Sequence, residues 1–133
     1  MIRLIYGKKG SGKSKRLLDM ANAEVENATG DIVYIDDNNR CIYDLNHKIR
    51  FINTADYEID NADKLYGFIC GILSENFDIS SIYIDGLKKL ISKEDKELEE
   101  LLERLDKQFS DIDAYIVLSG GEKAPAFLEK YMN

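Results

Sequence analysis

The chain has 133 residues, 44% apolar and 32% charged, with a net charge of −7. That length suits one domain, residues 1–133, with apolar side chains for a single core. No run approaches the roughly 18 apolar residues of a membrane-crossing helix, and the N-terminus shows no secretory-signal pattern, so the expected setting is the cytoplasm. Residues 1 to 16 hold six basic side chains and no acid, so the rest of the chain carries −13. A basic end suits a polyphosphate. The acidic remainder argues against tight, sequence-independent binding of duplex DNA, which depends on many basic contacts.

Ile2-Arg3-Leu4-Ile5-Tyr6 is a short apolar run suited to a buried strand. Gly7-Lys8-Lys9-Gly10-Ser11-Gly12-Lys13-Ser14 follows. It matches G-x-x-x-x-G-K-[ST], the phosphate-binding loop pattern. Lys15 to Asn27 then places Leu17, Leu18, Ala21 and Val25 at helical spacing. The glycines therefore lie where a strand turns into a helix, and they let the backbone approach a ligand closely. Successive N–H groups and the helix N-terminus favour an anion there. Gly7, Lys8, Lys9, Gly10, Ser11, Gly12, Lys13, Ser14 and Lys15 are thus the expected nucleotide-binding residues. Lys13 reaches the β- and γ-phosphates, and the Ser14 hydroxyl takes a place on Mg²⁺.

Asp31 to Asp36 is the second expected strand, running into the polar loop Asp36-Asp37-Asn38-Asn39. Arg40 to Lys48 fits either a short helix or an irregular strand. Ile49 to Ile52 is a third short strand, and Ala62 to about Glu75 a helix with Leu65, Phe68, Ile69, Ile72 and Leu73 on its buried face. Gly67 and Gly71 weaken that helix and form at most a packing notch. Ser81 to Asp85 is the fourth strand, apolar enough for a sheet covered on both faces. Ser92 is an expected N-cap with an acid three residues on, and Leu98, Leu101, Leu102, Leu105 and Phe109 continue one apolar stripe. Ala114 to Leu118 is the fifth strand, ended by Ser119-Gly120-Gly121, and Pro125 opens a last short helix. Strands alternating with helices predict a three-layer α/β/α domain around a mostly parallel five-stranded sheet. Ligands in such sheets bind beyond the carboxyl ends of the strands, where Gly7, Asp36, Asn53, Asp85 and Ser119 fall.

Asp85, closing its apolar strand, has the form of a Walker B aspartate that holds Mg²⁺ directly or through water. With that second motif, residues 1 to 120 resemble the nucleotide-binding core of RecA-type ATPases, within the P-loop NTPases. Only Gly7 to Ser14 and Ile82 to Asp85 match as motifs; the rest matches as order of elements. The resemblance implies a P-loop NTPase fold with strand order 1-5-4-2-3, and a catalytic glutamate at the end of the second strand. Asn38 stands at that place by register, with Asp37 beside it as the candidate base, since an amide cannot take a proton. Gly86 follows Asp85, where many related ATPases carry a glutamate. Ser119 stands where such folds often place a polar sensor.

Arg16, Arg40 and Arg50 are candidate phosphate contacts, while Lys123 reads as solvated. His47 has no Cys or His partner and reads as a loop histidine. Cys41 and Cys70 read as reduced thiols, and the strand tyrosines Tyr6, Tyr34, Tyr83 and Tyr115 as core. The expected function is Mg²⁺-dependent ATP or GTP binding with hydrolysis that is weak or needs a protein partner or self-association. The absence of an N-K-x-D sequence tilts the base toward adenine. The catalytic set is Lys13, Asp85 and Asp37; the metal set is Ser14 and Asp85. Two alternatives stay open: a small-molecule or nucleoside kinase, and a nucleotide-dependent interaction module without turnover.

Overall fold

Runs of Ile, Val and Tyr form the strands, and the computed structural model describes residues 1–87 and 94–132. The first half contains β1 (Ile2–Gly7), α1 (Lys13–Glu24), β2 (Asp31–Asp36), β3 (Arg50–Asn53) and a 3-10 turn at Thr54–Tyr57. The second contains α2 (Ala62–Glu75), β4 (Ile79–Ile84), α3 (Asp95–Gln108), β5 (Asp113–Ser119) and a 3-10 helix at Ala126–Tyr131. The sheet order is β1-β5-β4-β2-β3, as expected, and every pair is parallel.

Strand side chains alternate between faces, so neighbouring residues enter different cores. Leu4, Ile35, Ile82, Ile84 and Ile116 pack with Leu65 and Ile69 of α2 and with the leucine stripe of α3. Ile5, Ile32, Tyr34, Tyr83 and Val117 pack with Leu17 and Ala21 of α1 on the opposite face. The helices therefore cover both faces, giving three layers. On the α1 face four rings stack in register across the sheet. Tyr34 lies between Phe51 and Tyr83, with centroids 6.4 and 6.2 Å away, and Tyr83 meets Tyr115 at 4.8 Å. Below that ladder, Glu24 at the end of α1 accepts from the hydroxyls of Ser81 and Tyr83.

Several boundaries differ from the sequence expectation. α1 begins at Lys13 rather than Lys15 because Gly12, in a left-handed conformation at φ +86°, already accepts the Arg16 N–H at 3.0 Å. β3 starts one residue later than expected. Residues 40–48 are neither helix nor strand but a chain of turns, with Cys41 O accepting from both Asp44 and Leu45. Asn22 of α1 fastens that segment: its amide donates to Asp44 O and its oxygen accepts from Asn46 N, both at 2.8 Å. Gly67 and Gly71 face open space, so the packing notch has no neighbour to receive. The proposed cap at Ser92 lies outside the described residues; α3 has Glu94 at its N-cap position and Asp95 and Glu97 in its first turn. Both cysteines are free thiols.

Candidate functional site

The carboxyl ends of the parallel strands meet α1 at a cleft of about 880 Å³. The loop from Gly7 to Ser14 forms one wall. Gly10 at φ +82° and Gly12 at φ +86° hold conformations closed to most other residues, and they curl the chain so that Ser11 N bonds Lys8 O at 3.1 Å. Lys13 opens α1 and folds back inside this curl. Its ammonium donates to Lys8 O at 2.6 Å and to Ser11 Oγ at 3.3 Å. The residue is only 8% exposed, and among the described residues no carboxylate pairs with it.

The other expected loop residues divide into two groups. Lys9, Gly10, Gly12, Ser14 and Lys15 line the cleft with Lys13. Gly7 O accepts from Gly120 N–H at 3.1 Å, tying the loop to the end of β5. Lys8 turns outward, its ammonium 2.8 Å from Glu122. Ser119 lines the cleft beside Gly120. Of the candidate arginines, Arg40 reaches the cleft, whereas Arg50 faces Asp31 at the amino ends of the strands, 3.8 Å away. Arg16, Lys123 and His47 are exposed.

The facing wall carries acids from two neighbouring strands. Asp37 and Asp85 both line the cleft. Asn38 is held by its neighbours: its amide donates to Asp37 Oδ1 and its oxygen accepts from Arg40 N. Past the end of β2, Asp37 rather than Asn38 lines the cleft. Asp85 is 7% exposed, and its Oδ2 has no hydrogen-bond partner. Asp36, 1% exposed, lies next to it. Arg40 spans the two, with Nε 3.6 Å from Asp36 Oδ2 and a terminal nitrogen 3.5 Å from Asp85 Oδ2. Burial, then the Asp37 side chain and the Asp85 charge, push the Asp36 carboxyl up to about 7 against the opposing pull of Asp37 N–H and Arg40. Burial and the nearby Asp36 push the Cys41 thiol up to about 11.

Sequence reasoning named Asp36 only as a strand end and Arg40 only as a candidate phosphate contact. A signal for the pairing is present. Tyr34-Ile35-Asp36 and Tyr83-Ile84-Asp85 repeat one triplet, and the two pair in register as parallel neighbours, Tyr34 with Tyr83 and Ile35 with Ile84. The bond from Asp85 N to Ile35 O at 2.8 Å continues that register to the carboxylates. A second cleft, of about 590 Å³, opens on the α1 side and shares Ser14, Lys15, Arg40 and Asp85 with the first. Asp36, Tyr34 and Cys41 also line it.

No protein-family model matches the chain, and no curated protein matches it in sequence. Among the described residues, no helix is long and apolar enough to cross a membrane.

Proposed function

We propose that this protein is a P-loop nucleotide-binding domain that takes Mg·ATP, or GTP, in the cleft over Gly7–Ser14. The observation that carries this reading is the buried ammonium of Lys13, held by a carbonyl and a hydroxyl. A buried cation without a counter-charge is costly, and a polyphosphate laid on the curled loop supplies that charge. The N–H groups of the loop and the start of α1 add donors to the same anion. Lys9 and Lys15 at the cleft edge complete the electrostatic match.

A divalent cation fits the donor set. Asp85 offers a buried carboxylate oxygen that makes no hydrogen bond, and Ser14 lines the same cleft. These two residues would hold Mg²⁺, whose chemistry there is to neutralise charge on the β- and γ-phosphate oxygens. Asp37, which lines the same cleft, would orient water and accept its proton. Water attack on the γ-phosphate then releases inorganic phosphate, with Lys13 stabilising the charge on the phosphoryl group.

One observation favours a second reading, phosphoryl transfer to a small molecule: the second cleft adjoins the first across Ser14 and Asp85 and is large enough for an acceptor. Product analysis separates the two, since hydrolysis yields free phosphate and transfer does not.

Calorimetric titration with ATP and Mg²⁺ tests the binding itself. Lys13→Ala should weaken affinity by about 2–3 kcal/mol, the scale of charge-assisted bonds to a polyphosphate. Equal affinities for the two proteins would remove the proposal.

A further inference from the structure

The acids ending β2 and β4 are held in the same way. Asp36 Oδ1 accepts the N–H of Asp37, and Asp85 Oδ1 accepts the N–H of Gly86, both at 2.7 Å. Each carboxylate thus spends one oxygen on the next residue's backbone and aims Oδ2 at Arg40. The guanidinium stands 3.5 to 3.6 Å from those oxygens, at ion-pair distance but beyond a good hydrogen bond. Arg40 is also largely solvent-exposed, whereas the acids are buried. A solvent-exposed cation from a turn segment thus lies between two buried oxygens, at ion-pair distance from each.

We propose that Asp36 and Asp85 together form a two-carboxylate seat for a divalent cation, that Arg40 holds the position of that cation, and that the two exchange places. This deepens the reading of Ser14 and Asp85 as cation ligands and rests on it; the new elements are Asp36 as a ligand and Arg40 as the competitor. Among the described residues, no group of three or more His, Cys, Asp or Glu could hold a metal. Two carboxylates suffice for Mg²⁺ or Mn²⁺ in a nucleotide site, where water and phosphate oxygens fill the other positions. The register makes the pairing unavoidable, because β2 and β4 deliver the same triplet side by side. Two buried carboxylates this close repel each other unless one takes up a proton or a cation lies between them. Arg40 lines the nucleotide cleft as well. With a cation held on the two Oδ2 atoms, the freed guanidinium would face the nucleotide cleft that Arg40 lines and could pair with a phosphate there. Both partners of the broken ion pairs are then satisfied again.

The experiment is Mn²⁺ binding to the full chain without nucleotide, followed by electron paramagnetic resonance of free Mn²⁺ and by calorimetry. A site's apparent affinity falls with the fraction of time it is competent, so Arg40→Ala should bind Mn²⁺ about tenfold tighter than the unaltered protein. Arg40→Gln, which keeps a polar side chain, should act in the same direction. Asp36→Asn in the Arg40→Ala background should weaken Mn²⁺ about tenfold or more, since a hard cation loses an anionic oxygen. If Arg40→Ala and Arg40→Gln bind no tighter than the unaltered protein, Arg40 is a structural ion pair and the proposal falls. If Asp36→Asn changes nothing, the cation uses Asp85 alone and the proposal also falls. ATP binding in EDTA, compared between the unaltered protein and Lys13→Ala, reports on the loop separately. The two readings can therefore fail independently.

Discussion

A Cβ atom placed on Gly86 would lie 2.7 Å from Asp37 Oδ1 and 2.8 Å from its Cγ. Gly86 also has φ +75°, a conformation that disfavours any side chain. The turns after β2 and β4 therefore interlock, and the Asp37 carboxylate fills the space that a side chain at 86 would need. An acid following Asp85 and an acid at 37 exclude each other in this backbone. Gly86 is thus the steric partner of Asp37, whose carboxylate lines the cleft beside that of Asp85.

Turnover should depend on Asp37 accordingly. Asp37→Asn should lower phosphate release from Mg·ATP by about 100-fold or more, the usual contribution of a positioned base, while calorimetric affinity stays close to that of the unaltered protein. Asn38→Glu should leave turnover near its starting level, because Asn38 is engaged with Asp37 and the Arg40 backbone. Undiminished release from Asp37→Asn would show that the base lies elsewhere.

Glu24 should matter for stability rather than for the site. Ser81 and Tyr83 are buried, and both hydroxyls donate to its carboxylate. Glu24→Ala strands two buried donors, at about 1–3 kcal/mol for each group left unsatisfied. Urea unfolding should show the loss, and Tyr83→Phe should cost less in the Glu24→Ala background than in the unaltered protein. Additive losses in that double-mutant cycle would mean that the pair is not coupled.

The loop itself should be sensitive to Gly120. A Cβ there would come within 2.0 Å of the Tyr6 hydroxyl and 2.7 Å of its ring, while the Gly120 N–H holds Gly7 O. Gly120→Ala should cost about 1–3 kcal/mol, the range for overpacking, and should weaken ATP binding although residue 120 carries no charge. Unchanged affinity together with unchanged stability would mean that β1 and β5 adjust freely here.

What was legible in the sequence follows from how local each signal is. The strand–loop–helix unit that opens the chain is written in consecutive residues, so its existence and order could be read directly, although the helix runs over Lys13–Glu24 rather than from Lys15 to Asn27. The strand order depended on a resemblance in the sequence of elements, because register between Val33 and Ile82 is set by packing of both faces and not by either run alone. Residues 40–48 were ambiguous for a physical reason. Their apolar residues follow no clear period, and the conformation is imposed by Asn22, some twenty residues away. Arg40 hangs from that segment, so its position between Asp36 and Asp85 was hidden as well. The repeated Tyr-Ile-Asp triplet was visible, yet it becomes informative only once its two copies are known to be neighbours.

Asp36 should make the protein less stable as pH rises. Its carboxyl has an ordinary value of 3.8 and is pushed up to about 7 in the fold, first by burial. Between those values the folded chain keeps a proton that the unfolded chain has released. The folded state then binds more protons, so stability falls with pH across that window and levels off above about 7. Asp36→Asn removes the titrating group while keeping the size of the side chain and an oxygen acceptor for Asp37 N–H. The variant should therefore be more stable than the unaltered protein in EDTA, with a difference that grows from about pH 5.5 to about pH 8. At one pKa unit per 1.36 kcal/mol, the full gap is on the order of 2–4 kcal/mol, with Arg40 and Asp85 modulating it. Differences between the two proteins cancel the titration of groups they share. Thermal unfolding of both across that range checks the prediction. A difference that stays constant, or shrinks as pH rises, would mean that Asp36 is already ionised in the fold and that Arg40 compensates its burial.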